Sequence, residues 1–306
     1  MLHRFAQFVA GSVSVPLQVG RTSARLADYL ALTKPRLNVL VVATSAAGYY
    51  LGATRVLDVW PMAQAVAGTA LVAGGAAVLN QVYERDTDAL MRRTRARPLP
   101  DGRVLPADAR IFGLALALCG LALLAARASS LAALLAAATL IIYLVVYTPM
   151  KRRSPFSTLV GAVPGALPPL IGWTASHGSL SPGGAALFAI VFLWQIPHFM
   201  AIAWMYRDDY ATAGFPMLPV IEPEGRRAGR QAVLYSAALL PASLVPTAIG
   251  LSGTPYLAIA LGLGIALLWL AVRFARSRSD DSARTLFLAS IAYLPLLWIA
   301  MIWNKL

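Results

Sequence analysis

The stretch LNQVYERDTDALMRRTRARPLPDGR, from Leu79 to Arg103, follows a long apolar and glycine-rich segment of the chain. It holds four acidic residues and six arginines within a few helical turns. A long apolar segment that ends abruptly in charge is typical of a membrane helix that reaches water. The stretch therefore predicts a helical membrane protein with a charged cluster at one membrane boundary.

The composition of the whole chain supports this class. Of its 306 residues, 58% are hydrophobic and 13% are charged, whereas soluble domains have a charged fraction of about 25%. Apolar blocks long enough to cross a bilayer recur along the chain, at residues 37–54, 61–83, 110–126, 131–148, 158–176, 183–205, 232–250, 255–272 and 286–303. We therefore predict an all-α membrane protein in which nine transmembrane helices form one bundle.

The positive charges alternate between the two sides of this bundle. The N-terminal tail and the even-numbered loops hold 23 of the 26 Lys and Arg residues, and the other side keeps only Arg55, Arg127 and Lys305. By the positive-inside rule, the N-terminus and the even-numbered loops are cytoplasmic. We expect a cytoplasmic tail at 1–33 and a membrane domain at 34–306. The basic, acid-poor start also suits a mitochondrial presequence, but a bacterial inner-membrane protein is the preferred interpretation.

Net charge and cysteine content exclude several classes of site. The net charge of +13 reflects membrane topology, so we expect no nucleic-acid partner. Cys119 is the only cysteine, which excludes a disulfide within the chain and a cysteine-based metal site.

Three polar residues form a stripe at the end of the second apolar segment. Asn80, Glu84 and Asp88 share a helical face because they are four residues apart, while Asp86 falls elsewhere. Mg²⁺ typically binds one or two carboxylates and completes its shell with phosphate oxygens and water. The arginines that follow could hold phosphates, although for them alone a solvated, inside-positive cluster is the better explanation. The acids point more strongly to function.

A second acidic cluster follows the sixth segment, in FLWQIPHFMAIAWMYRDDYATAGFPMLPV. Counting helical angles from Gln195 places His198, Ile202, Tyr206 and Asp209 near one face. Asp208 lies off that face and is kept as the alternative acid. Two acidic helix ends on one side predict a cation site divided between two halves of the bundle.

A third stretch, YTPMKRRSPFSTLVGAVPGALPPLIGW, brings Tyr147, Lys151 and Arg152 to the same membrane face. Its glycines and prolines predict a broken helix after the basic residues. Irregular backbone at this depth occurs only within protein or around a cavity, so we expect this stretch to line one.

Together with LTKPRLNVLVVAT, these three stretches resemble the UbiA superfamily of intramembrane prenyltransferases, and in particular its haem-prenylating branch. The matching stretches occur in the family's order from Leu32 to Val220, and PHF at Pro197–Phe199 is a mark of that branch. The resemblance implies nine helices around a central cavity open to the membrane. It also implies transfer of the farnesyl group of farnesyl diphosphate to a vinyl group of haem B, in the route to haem O and haem A.

The resemblance also assigns roles to residues. Asn80, Glu84 and Asp88 match the motif that binds diphosphate through Mg²⁺, with Glu84 where the family commonly has Asp. The adjacent Asp208 and Asp209 stand where the superfamily often has two acids four residues apart. The implied metal ligands are these five residues, with all but Asp208 also catalytic. The implied substrate-binding residues are Arg92, Arg93, Arg97, Tyr147, Lys151, Arg152, His198, Tyr206, Arg207 and Tyr210.

Under this interpretation Mg²⁺ is the cofactor and haem B is a substrate, not a permanent cofactor. The partners are membrane lipid and, among proteins, haem A synthase or oxidase-assembly factors. His198 is either a packed, hydrogen-bonded histidine or a contact to haem or the active site. Three other functions stay open: prenylation of an aromatic or quinone precursor, ion transport, and haem handling without catalysis. The transporter interpretation predicts acids near the bilayer midplane and inverted repeats.

Overall fold

The computed structural model describes residues 25–54 and 58–306. Most of the predicted tail, up to position 24, and Arg55 lie outside the described residues. The helices are α1 (Leu26–Leu32), α2 (Pro35–Gly52), α3 (Val59–Asp88), α4 (Pro106–Arg127), α5 (Ser130–Ile141), α6 (Thr148–Met150), α7 (Ser157–His177), α8 (Pro182–Met205), α9 (Arg207–Thr212), α10 (Leu218–Ile221), α11 (Arg226–Ala248), α12 (Thr254–Ser277) and α13 (Asp280–Trp303). A π-helical segment, Ile142–Tyr147, joins α5 to α6.

The described residues form no β-strand, and their only bridge pairs Ser252 with Lys305. Helices dominate because a backbone in lipid must satisfy its hydrogen bonds internally. Each of the nine predicted segments lies, to within two residues at its ends, inside a long helix or, at 131–148, inside α5, the π-helical segment and the start of α6. Among the residues that the structure describes, seven spans are long and apolar enough to cross a membrane. The all-α class is confirmed. Helices α2 and α7 are not among the seven spans, so the count of nine transmembrane helices stays a prediction.

Glycines set the distance between α3 and α4, which pack along each other. A Cβ atom on Gly75 would lie 2.6 Å from the carbonyl oxygen of Gly113, and one on Gly120 would lie 2.7 Å from that of Gly68. Small residues at such contacts let helix backbones touch in lipid, where hydrophobic burial provides no driving force between helices. This contact fixes α3, the helix that carries the polar stripe.

The glycine- and proline-rich stretch after the third basic cluster is helical, which corrects the predicted break. Helix α7 runs unbroken through Pro164, Pro168 and Pro169. A membrane helix tolerates proline where neighbouring elements compensate for the lost hydrogen bond, and α7 packs against α2, α5 and α8. The irregular backbone lies before this stretch instead, in the π-helical segment.

A short helix and a left-handed residue precede the first long helix. Helix α1 was not predicted, and it is held on α3 by the hydrogen bond from Gln81 Nε2 to the carbonyl of Leu32, at 2.6 Å. An ion pair between Asp28 and Arg103 also joins α1 to the loop between α3 and α4. Lys34 then adopts φ 52° and ψ 58° at the start of α2. This turn directs its side chain toward Asn80.

Candidate active site

A central cavity of about 460 Å³ lies between α2, α3, the α5–α6 region, α7 and α8. Apolar side chains such as Val72, Ile171 and Leu294 line much of its wall. Ionic and polar residues line the part where α3 ends, and they come from α3, the loop after it and the segment around Lys151. The cavity therefore combines a charged pole with an apolar chamber.

The stripe predicted on α3 forms as expected. Asn80, Glu84 and Asp88 all line the cavity, and each is at most 5% exposed. Asp86 is exposed on another face of the helix and pairs with Arg85. The helical period therefore separates two carboxylates that face the cavity from one that faces water.

Each buried carboxylate of the stripe has a cationic partner. Lys151 Nζ lies 2.8 Å from Glu84 Oε1, and Arg97 Nη1 lies 2.7 Å from Asp88 Oδ2. Lys151 is 67 residues from Glu84 in the sequence, whereas Arg97 is only nine residues from Asp88, and both contacts offset the cost of burying charge. They place two cations beside two acids at the charged pole.

This donor set fits a hard cation that brings its own oxygen ligands. Across residues 25–54 and 58–306, no three His, Cys, Asp or Glu side chains cluster closely enough to hold a metal by themselves. One amide oxygen and two carboxylates are nevertheless the protein ligands expected for Mg²⁺ when phosphate oxygens complete the shell. Asn80, Glu84 and Asp88 could hold Mg²⁺ in this way.

Lys34 is a further cation at the charged pole, whereas its sequence position predicted only one of the positive charges that set the topology. Its Nζ lies 3.5 Å from Asn80 Oδ1, and it lines the cavity. Burial, followed by repulsion from Arg97, lowers the pKa of Lys34 to about 8. The residue is therefore cationic at neutral pH and neutral in mild alkali.

Two tyrosines of the π-helical segment form the adjoining wall. The rings of Tyr143 and Tyr147 stack with centroids 5.3 Å apart, and the Tyr143 hydroxyl donates to Asn80 Oδ1 at 3.3 Å. Gly161 leaves room for the Tyr147 ring, since a Cβ there would lie 2.5 Å from Tyr147 Cε2. Tyr147 was predicted, whereas Tyr143 was missed because nothing near it in the sequence is charged.

His198 is both packed and exposed to the cavity. Its ring stacks between Trp194 and Phe287, with both centroid distances 5.0 Å, and its Nδ1 lies 2.8 Å from Ser290 Oγ. The residue also lines the cavity. The ring is thus fixed by packing while the residue lines the chamber, and a contact to haem stays a prediction.

The structure does not form the predicted cation site between two acidic helix ends. Helix α8 ends at Met205, and Tyr206 leaves helical geometry with φ −112° and ψ 22°. The stripe of Gln195, His198 and Ile202 lines the cavity, but it ends at this break. Asp208 is exposed, and Asp209 accepts a hydrogen bond from the backbone N–H of Arg93 at 3.4 Å. Neither acid lines the cavity.

The remaining predicted residues divide between the cavity and the surface. Arg93 lines the cavity, stacks its guanidinium over Tyr206 at 4.7 Å and donates to the Tyr210 hydroxyl at 3.3 Å. Tyr210 also lines the cavity, while Tyr206 only supports Arg93. Arg207 is directed away, because its Nη1 donates to Asp280 Oδ1 at 2.7 Å. Arg92 and Arg152 were also predicted to bind substrate, but their side chains are exposed on the surface and do not line the cavity.

Comparison with known proteins agrees with this arrangement. The UbiA prenyltransferase family pattern matches residues 41–300. The protein named Protoheme IX farnesyltransferase from Solibacter usitatus is 45% identical, over 91% of this chain and 98% of its own length. The one from Opitutus terrae is 46% identical, over 93% of this chain and 97% of its own length.

Solved structures match at the level of the fold. A structure of digeranylgeranylglyceryl phosphate synthase superimposes with a TM-score of 0.77 at 16% identity, covering 91% of this chain and 98% of that one. A UbiA homolog from Archaeoglobus fulgidus bound to GPP and Mg²⁺ gives a TM-score of 0.65 at 19% identity, covering 90% and 99%. With the family pattern spanning most of the chain and the curated relatives aligned nearly end to end, this protein belongs to the UbiA prenyltransferase family.

Proposed function

We propose that this protein transfers the farnesyl group of farnesyl diphosphate to a vinyl group of haem B, giving haem O and diphosphate. The observation that carries the proposal is the buried stripe of Asn80, Glu84 and Asp88, which meets Lys151 and Arg97 at one pole of an apolar cavity. This pole suits an anionic headgroup, and the chamber suits its prenyl chain. The names of the relatives support haem as the acceptor.

The charged pole would bind and stabilise the leaving diphosphate. Lys34, Arg93, Arg97 and Lys151 all line the cavity there, and positioned cations stabilise the negative charge that develops as the C1–O bond breaks. Mg²⁺, held by the α3 stripe, would neutralise part of that charge when bound. The bonding electron pair leaves with the diphosphate, and an allylic cation remains on the farnesyl chain.

The apolar wall would protect that cation until the acceptor attacks. Side chains of α3, α7 and α8 keep water from the chamber, and the Tyr147 ring offers a π face to the cation. The vinyl group of haem B supplies the electron pair for the new carbon–carbon bond. Water then adds to the resulting cation beside the porphyrin and releases a proton, which completes the balance without a protein nucleophile.

We place the haem acceptor against the α8 wall. Trp194, His198 and Phe199 line this side of the cavity, and His198 is fixed by stacking and by Ser290. A planar aromatic ring system can stack on such a wall. The distribution of Lys and Arg supports a site on the cytoplasmic side. We place the protein in a bacterial inner membrane, with haem A synthase or oxidase-assembly proteins downstream.

The proposal is tested by incubating the purified protein in detergent with haem B, farnesyl diphosphate and Mg²⁺. Haem O is detected by mass. Asp88→Asn removes a buried carboxylate of the stripe, while Asp86→Asn removes an exposed one two residues away. We expect haem O from the wild type and from Asp86→Asn, and a loss of at least about 100-fold for Asp88→Asn.

Two other results would contradict the proposal. Prenylation of an aromatic acceptor, but not of haem B, would assign the protein to a branch with a different acceptor. No reaction with any prenyl diphosphate would leave transport or haem handling as the function.

A further inference from the structure

Thr148 is a buried side chain that none of the steps above uses. It is 1% exposed and follows the π-helical segment directly. Its hydroxyl contacts the side chain of Asn80 on α3, 68 residues away in the sequence. The contact connects the least regular part of the backbone to one of the proposed Mg²⁺ ligands.

The π-helical segment gives Thr148 an unusual hydrogen bond. Both its backbone N–H and its hydroxyl donate to the carbonyl of Tyr143, five residues earlier, the hydroxyl at 2.7 Å. In an α-helix the hydroxyl would bond three or four residues back. Pro149 accounts for the change, because proline lacks an N–H and clashes with the carbonyl four residues before it.

This bond decides which way the Asn80 amide faces. The Thr148 proton is committed to a carbonyl that can only accept, so the hydroxyl can only accept from Asn80. The group it faces at 3.1 Å must therefore be the amide nitrogen, Nδ2. The amide oxygen is consequently on the opposite side of the amide group.

Two donors on that opposite side agree with this assignment. Tyr143 OH and Lys34 Nζ lie 3.3 Å and 3.5 Å from Asn80 Oδ1. An ammonium group has no acceptor, so a flipped amide would set its N–H₂ group against Lys34. The network thus presents an oxygen to the charged pole, where a cation would bind.

We propose that Thr148 is a positioning residue, which holds the Asn80 amide with its oxygen toward the Mg²⁺ site. This inference rests on the proposed function, since it assigns Asn80 as a metal ligand. Residues that orient a metal ligand typically contribute 10- to 100-fold to metal affinity or activity. The π-helical segment makes this possible, because it places the Tyr143 carbonyl where the Thr148 hydroxyl donates to it and can then only accept from Asn80.

The test compares Thr148→Val, which removes the hydroxyl at nearly constant shape, with Thr148→Ser, which keeps it. Mn²⁺ binding is measured by the loss of its free-ion EPR signal, with farnesyl thiolodiphosphate present as an unreactive analogue. We expect Thr148→Val to weaken Mn²⁺ binding about 10-fold and to raise the Mg²⁺ requirement for turnover similarly. Thr148→Ser should stay close to the wild type, and the KM for haem B should change little.

A matched control separates this role from general packing. Thr174 is also buried in a helix, but its hydroxyl bonds only within α7, to Leu170 and Ile171. Thr174→Val should leave Mn²⁺ binding unchanged. A second arm uses Asn80→Asp, whose carboxylate presents oxygen in either orientation. In that background, adding Thr148→Val should have less than about a two-fold effect, because no amide remains to be oriented.

The outcomes distinguish this inference from the proposed function. Wild-type Mn²⁺ affinity in Thr148→Val, or an equal loss in Thr148→Ser, would overturn the role of Thr148 even if haem O is formed. An unchanged penalty in the Asn80→Asp background would overturn it too. The expected binding pattern without haem O formation would uphold the positioning role and reject haem as acceptor.

Discussion

The ammonium of Lys151 lies 2.8 Å from a carboxylate oxygen of Glu84, and neither side chain is more than 16% exposed. Burial alone would lower the pKa of Lys151, but Tyr147 and Glu84 outweigh it and hold the pKa above its ordinary value. Lys151 is therefore cationic throughout the neutral range. It joins the segment after α6 to α3, at the pole where we place the diphosphate.

Breaking this pair should affect stability and activity differently. Lys151→Met and Glu84→Gln each leave a partner buried without its counter-ion, which costs about 3 kcal/mol. We expect each single variant to unfold at lower temperature in detergent and the double variant to recover much of that loss. Activity should not recover, because the double variant lacks both a diphosphate contact and a metal ligand. Parallel recovery of activity would show that the pair is only structural.

Lys34 should give the enzyme an alkaline limit. Its pKa is lowered to about 8, so the charge is present below that pH and is lost as the pH rises through it. We expect the KM for farnesyl diphosphate to rise about 10-fold between pH 7 and pH 9, following the charged fraction. Lys34→Arg keeps its charge to far higher pH and should abolish the rise. An identical pH profile in both proteins would exclude Lys34 as the titrating group.

The two arginines that contact tyrosine or tryptophan rings near α9 should behave differently. Arg93 lines the cavity, while Arg207 is bound to Asp280 and stacks on Trp204. Arg93→Gln should raise the KM for farnesyl diphosphate about 10-fold, because a charge-assisted contact to the diphosphate is lost. Arg207→Gln should leave KM unchanged and lower stability by no more than about 1 kcal/mol. Steady-state kinetics measure the KM of both variants. A raised KM in Arg207→Gln would show that Arg207 does contact the substrate.

A single methyl group at Gly161 should displace the aromatic wall. Its Cβ would lie 2.5 Å from the ring of Tyr147, so that ring has to move. We expect Gly161→Ala to lower kcat at least about 10-fold, because small displacements of positioning groups are costly. Gly262→Ala is the control, since a Cβ there meets nothing within 4 Å. Equal kcat values for Gly161→Ala and the wild type would show that the Tyr147 ring position does not matter.

The periodicity of one helix was enough to predict half of the charged pole. Asn80, Glu84 and Asp88 lie on a regular helix, so a constant angle per residue places them together. The same count failed for Asp209, because α8 ends at Met205 and the chain changes direction at Tyr206. The predicted apolar segment also ends at residue 205, but the helical count was continued past it to Asp209 as if the helix did not end there.

The other half of the pole depends on contacts between distant segments. Lys34 contacts Asn80 because Lys34 itself has a left-handed backbone conformation. Thr148 contacts Asn80 from the end of the π-helical segment. Neither geometry follows from an average helical period. The cations of the basic loops could be counted from sequence, but which of them faces the cavity depends on tertiary packing, as the contrast between Arg93 and Arg207 shows.

The glycine contact between α3 and α4 determines where the acids of the polar stripe lie. Where Gly75 meets Gly113 and Gly68 meets Gly120, the backbones leave no slack for one helix to slide on the other. The acids of α3 are thereby a fixed reference point for the reaction. An added methyl group at Gly75 or Gly120 would therefore push α3 away from α4 and shift the three residues of the polar stripe together.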